Sequence, residues 1–173
     1  MVEVLNLSFS SSFGFMYLLF LSDSYDMRGA NGHHSTLADS QAAVEHQLRA
    51  GIPPEKLVLG LPAYARHARD PNQVKSHAEL VDVAESSSRL GSLATFGLGE
   101  QTFDGFTGNG PSLVSDKVAW AASKGMAGVF FWEIGQDKLG HSSSLVAAAA
   151  AASGVGATLS EAPPRGQPEK EDL

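Results

Sequence analysis

Residues 56–66 read KLVLGLPAYAR, with no charged residue between the first lysine and the last arginine. A strand with one wet face alternates apolar and polar positions. A strand covered on both faces reads instead as a continuous apolar run, the habit of parallel sheets packed between helices. Working outward, two further runs share that character: FGFMYLLFL at 13–21 and AGVFFWE at 127–133. With helical patterns between them, the order strand, helix, strand, helix, loop, helix, strand, helix predicts an α/β fold on parallel strands with helical crossovers.

The helical patterns carry their own punctuation. TLADSQAAVEHQLRAG, from Thr36, sets Leu37, Val44 and Leu48 on one face. Thr36 and Asp39 make a variant of the capping box, Gly51 suits the stop, and Pro53 and Pro54 forbid continuation. NQVKSHAELVDVAESSSRLG (72–91) groups Val74, Ala78, Val81 and Ala84 and predicts a helix ending at Gly91. GLGEQTFDGFTGNGP (97–111) is loop-like with room for a short hairpin, and SLVSDKVAWAASKG (112–125) predicts a third helix. LVAAAAAA (145–152) predicts a fourth on alanine propensity alone.

Composition bounds the rest. A chain of 173 residues with 43% hydrophobic content supports one domain with its own core. Residues 153–173, rich in Gly, Pro and charge, cannot bury enough surface to offset chain entropy and are expected to be a disordered tail. Residues 1–12 are left as an N-terminal extension, so the folded unit is 13–152. A net charge of -7 and only 12 scattered basic residues exclude the clustered Lys and Arg that nucleic acid requires. There is no cysteine, hence no disulfide framework and no thiolate metal centre. His33 and His34 lie in a Gly-rich loop without a second ligand pair and are expected to face solvent; no metal and no cofactor is expected. FGFMYLLFL is too short to span a bilayer. With Glu3 and no basic residue before it, it reads as a buried strand rather than a signal peptide, and no membrane partner is expected.

In such sheets ligands lie beyond the carboxyl ends of the strands. Tyr25 and Asp26 follow the first apolar run, Tyr64 and Arg66 the second, and Trp132 and Glu133 the third. Flat aromatic rings stack on the C–H faces of a pyranose while charged and hydroxyl groups bond its polar substituents, so convergence of these pairs would make a sugar cleft. Taken singly, each aromatic also fits a core-edge residue with its polar tip in water, and Asp26 fits a turn. Side chains alternate along a strand, so if Trp132 faces the cleft, Glu133 points elsewhere.

SYDMRG, LVLGLPAYAR and KVAWAASKGMAGVFFWEIGQD, in that order, resemble the last three strand regions of family 18 glycoside hydrolases, the chitinase type. The resemblance implies a partial (β/α)8 TIM barrel holding strands six to eight, and a substrate of chitin or N-acetylglucosamine oligosaccharides. In that family the substrate's own acetamido group attacks the anomeric carbon. Carried over by position, Tyr25 would bond the acetamido group, Asp26 would contact the sugar at the scission site, Trp132 would floor it, and Tyr64 and Arg66 would line the cleft. The family's general acid closes a DxxDxDxE motif that this sequence lacks, so the expectation is auxiliary catalytic and binding residues without the acid. The chain would then be inactive alone, with a completing chain or a missing N-terminal half supplying the rest. Family habit implies secretion. A non-catalytic chitin-binding module and a small α/β domain of unrelated function, for which GLGEQT is a weak Gly cue, remain alternatives.

Overall fold

The computed structural model describes residues 7–8, 20–22, 33–98 and 102–154. In chain order the elements are β1 (Leu7–Ser8), β2 (Phe20–Ser22), α1 (Leu37–Arg49), β3 (Leu57–Pro62), β4 (Tyr64–His67), β5 (Val74–Ser76), α2 (His77–Ser86), α3 (Leu90–Ala94), β6 (Phe106–Thr107), α4 (Pro111–Ser123), β7 (Gly128–Trp132) and α5 (Leu145–Ser153). The expected α/β order is present, and the predicted N-terminal strand is described only at its end. Residues 13–19 and the expected tail from 155 onward lie outside the described residues.

The three apolar runs pair as the sequence predicts. β2, β3 and β7 are mutually parallel and adjacent, with Leu21 opposite Val58 and Gly60 opposite Phe130. Strand parity sorts their side chains. Leu57, Leu59, Leu61, Val129 and Phe131 join Val44 of α1, Val114, Val118 and Ala121 of α4, and Leu145 and Ala149 of α5 in one core. Val58 and Phe130, of opposite parity, are also buried, so both faces of β3 and β7 are covered. Double burial is the physical cause of the unbroken apolar run. One strand was not expected: β1, inside the segment left as an extension, pairs antiparallel with the outer edge of β7.

KLVLGLPAYAR is not one strand but two. After Pro62 the chain leaves the parallel sheet, and β4 enters a small antiparallel sheet of order β5-β4-β6. Tyr64 and Arg66 therefore lie within a second strand rather than at the tip of the first. Between β4 and β6, Ala65, Leu80, Val81, Ala84, Leu93, Phe96, Phe103 and Phe106 form a second core. The hairpin anticipated in the Gly-rich stretch is present: Phe103 and Phe106 exchange both backbone hydrogen bonds at 2.9 Å. Asp104 and Gly105 between them have φ of 53° and 80°, the two positive values a two-residue type I′ turn requires.

Helix boundaries follow local chemistry more than periodicity. The Thr36/Asp39 capping box opens α1 as expected, with Asp39 N–H donating to Thr36 Oγ1 at 3.1 Å and Thr36 N–H to Asp39 Oδ2 at 3.0 Å. The 72–91 helix is shorter than its spacing implied. Ser76 and Glu79 form a second capping box, which starts α2 at His77 and leaves Val74 half-exposed in β5. It ends at Ser86 because Ser88 takes a left-handed φ of 56° and the chain closes back on itself, Arg89 N–H donating to the Ala84 carbonyl at 2.8 Å and Ser88 N–H to the Glu85 carbonyl at 3.1 Å.

Gly110, the residue before α4, marks where the second core leaves no room. A Cβ there would meet the Leu93 carbonyl oxygen at 2.4 Å and the Phe96 Cβ at 3.0 Å. Gly110→Ala should lower stability by about 1–3 kcal/mol through overpacking, read as a lower urea midpoint at unchanged slope. Gly135→Ala, which meets nothing within 4 Å, should stay within about 0.5 kcal/mol of the parent.

Candidate functional site

The carboxyl ends of β3 and β7 are level with each other. Pro62 is opposite Trp132, and one residue on, Ala63 N–H donates to the Trp132 carbonyl at 2.9 Å. Exposure changes abruptly there: Phe131 is 0% exposed and Trp132 39%. A large apolar ring is thus offered to solvent at the tip of an otherwise buried strand, where a flat ligand face would recover the area left uncovered. The Trp132–Glu133 peptide is cis. Glu133 is exposed, and a 3-10 turn at Ile134–Gln136 carries the chain away.

Tyr64 follows Ala63 and is buried, unlike Trp132. Its ring packs against the His34 imidazole, with centroids 5.0 Å apart and planes at 44°. The Arg66 guanidinium lies 5.3 Å from the same ring. Arg66 is itself steadied by donation from Nη1 to the Pro71 carbonyl at 2.8 Å. The structure therefore brings Tyr64 and Arg66 together and sets Tyr64 one residue past the Ala63 that bonds the Trp132 strand end. Tyr25 and Asp26 lie outside the described residues. A groove of about 370 Å³, lined by His33, Thr36, Leu37, Leu98, Leu113 and Asp116 among others, includes none of Tyr64, Arg66 and Trp132.

Two side chains that the sequence reading passed over, Lys117 and Asn109, hold this region. Lys117 of α4 is fully buried; its Nζ donates to the Ser35 carbonyl at 2.5 Å and to Ser35 Oγ at 2.9 Å. Burial pushes its amine from 10.5 down to about 7, and the Asp39 carboxylate opposes that shift. Asn109 Nδ2 donates to the carbonyls of Ser35 and His34, at 3.1 and 3.4 Å. With residues 34 and 35 tied down, His34 is 3% exposed, so the expectation of a solvent-facing His34 fails. The missed signal was spacing: Leu113, Val114, Lys117, Val118 and Ala121 form one helical stripe, and a lysine in its middle cannot reach water.

Asp137 is a further buried polar residue, with a structural role elsewhere. It is buried at the start of α5, where it accepts from Ser144 Oγ at 2.6 Å and from the backbone N–H groups of Leu145 and Val146 at 3.0 and 3.1 Å. That is a capping role at a helix N-terminus. Beside it, His77 is buried with Nε2 2.8 Å from the Ser143 carbonyl, and burial pushes its imidazole below the usual value. Among the described residues no cluster of three or more His, Asp or Glu could hold a metal ion, and no helix is long and apolar enough to cross a membrane.

The sequence profile of glycosyl hydrolases family 18 matches residues 17–137. The chain belongs to that family. Class V chitinase CHIT5 of Lotus japonicus is 30% identical to it over 146 residues, 66% of this chain and 36% of that protein. Among solved structures, the GH18 chitinase ChiB of Flavobacterium johnsoniae superposes with a TM-score of 0.64 at 22% identity, over 79% of this chain and 42% of that one. A class V chitinase of Nicotiana tobaccum, solved in complex with NAG4, gives 0.59 at 18% identity over 79% and 49%. The fold is therefore that of the chitinase neighbours as far as it extends. The chain spans about a third of the length of the curated relatives it matches.

Lys117 makes stability depend on pH. Between about 7 and 10.5 the unfolded chain holds a proton on this amine that the folded chain does not. Stability therefore climbs with pH through that window and is lowest below it. Urea midpoints measured from pH 6 to 10 should rise more steeply for the parent than for Lys117→Met, whatever the absolute stability of the variant.

Proposed function

We propose that the chain is the C-terminal part of a chitinase-type catalytic domain, with β2, β3 and β7 serving as strands six to eight of its (β/α)8 barrel. On this reading it carries one wall of a cleft for N-acetylglucosamine polymers. The observation that carries it is the exposed Trp132 ring at the carboxyl end of the last of three adjacent parallel strands, pinned through Ala63 beside the Tyr64 segment. Trp132 stacks on a sugar face, Tyr64 and Arg66 line the adjoining wall, and Tyr25 and Asp26 hold the acetamido group and the sugar at the scission site. Aromatic stacking with a few fixed polar groups is the chemistry a pyranose needs.

The protonating group is not in these 173 residues, because no DxxDxDxE motif occurs in them. Positioning groups stabilise a transition state only when the leaving oxygen is protonated from elsewhere. The chain therefore binds oligosaccharide without cleaving it, until the N-terminal half of a barrel or a completing chain supplies the acid. A second reading, a stand-alone chitin-binding module, draws support from β1, whose antiparallel pairing occupies the outer edge of β7.

Titration with chitotetraose, followed by tryptophan fluorescence, should show saturable binding. Trp132→Ala should weaken it by about tenfold or more, a loss of ~1.4 kcal/mol, while Trp120→Phe retains it. A fluorogenic chitobioside should not be turned over. Turnover that disappears in Glu133→Gln would show that the chain has an acid of its own and overturn the proposal.

A further inference from the structure

We infer that Lys117 is a positioning residue for the Tyr64 wall of the sugar site, acting through Ser35 and His34. The inference rests on the proposed role of Tyr64 in that wall. The contacts form an unbroken series: Lys117 Nζ holds the carbonyl and hydroxyl of Ser35, Asn109 bonds the carbonyls of Ser35 and His34, and the His34 ring packs on the Tyr64 ring. It joins α4 to β4 across 82 residues of sequence between Ser35 and Lys117.

Three features make this more than a satisfied buried lysine. The stripe that holds it, Leu113, Val114, Val118 and Ala121, would accept a leucine or methionine without the desolvation cost of an amine. The amine is therefore retained for something an apolar side chain cannot do. Ser35 has a φ of 50°, a left-handed conformation that an L-residue holds only when its surroundings impose it. The groups imposing it are the two donors on its own carbonyl, Lys117 and Asn109. Finally, the conformation of residues 34 and 35 decides where the imidazole lies, and the imidazole packs against a ring that the Arg66 guanidinium also approaches, at 5.3 Å.

Burial of the amine in these surroundings is reflected in its lowered pKa of about 7. Asp39 of α1 is the charged group that acts on it. The described lengths of α3, β7 and α5 contribute none, since LGSLA, GVFFW and LVAAAAAAS carry no ionisable side chain.

The test uses the full chain at pH 9, where stability is expected to be higher, with Lys117→Met as the variant and Lys117→Gln in its place should the first not fold. Two readouts are taken: the nuclear Overhauser contact between the His34 and Tyr64 rings, and the Kd for chitotetraose. Loss of the ring contact with a Kd weakened by about threefold or more supports the inference, provided the same substitution has no further effect in a Tyr64→Leu background. A purely structural lysine would weaken binding equally in both backgrounds. A retained ring contact, or a lost contact with unchanged Kd, overturns it. If the parent chain itself binds no chitotetraose, the reading of the site fails instead, and the ring contact alone decides whether Lys117 orients Tyr64.

Discussion

The parallel pairing of Leu57–Pro62 with Gly128–Trp132 is the constraint on which the rest of the molecule depends. Its five registered pairs fix which residues face the helices and which face the other side. They also bring the two strand ends level, so that Ala63 and Trp132 share a hydrogen bond. A one-residue slip would exchange the faces, sending Leu59, Leu61 and Phe131 out of the core that α4 and α5 cover. It would also separate the Trp132 ring from the Tyr64 segment. Register is therefore a condition of the site as well as of the fold.

α4 connects this sheet to everything else. Val114, Val118 and Ala121 pack under β3 and β7, its N-terminus abuts the second core through Gly110, and Lys117 reaches back to the segment that precedes α1. One helix thus sets the position of the parallel sheet, the antiparallel insertion and the loop beside Tyr64. A polar group at its centre is costly, and its cost is met only because both Ser35 acceptors lie within reach.

Membership of family 18 frames these contacts without deciding the chemistry of this chain. What the chain offers is an aromatic ring exposed at a strand end and a tyrosine ring contacted by an imidazole and a guanidinium. Those are recognition groups. Two of the described carboxylates have structural work: Asp137 caps α5, and Asp39 caps α1.

Where local chemistry decides the outcome, the sequence by itself was sufficient. The unbroken apolar runs determined parallel strands, because only a strand covered on both faces can omit polar residues. Thr36 and Asp39 determined the start of α1, and Asp104-Gly105 the hairpin turn, because each depends on residues within a few positions. The family was legible from three ordered motifs for the same reason. Tertiary structure alone decided the break at Ala63, the move of Tyr64 and Arg66 into a second sheet, the antiparallel β1, and the burial of His34 and Lys117. Each of these depends on partners tens of residues away: Trp132 for Ala63, Thr107 for β4, Ser35 for Lys117. Spacing along a chain records which side of an element is apolar, but which distant backbone carbonyl lies within 3 Å of a lysine is a property of the packed fold.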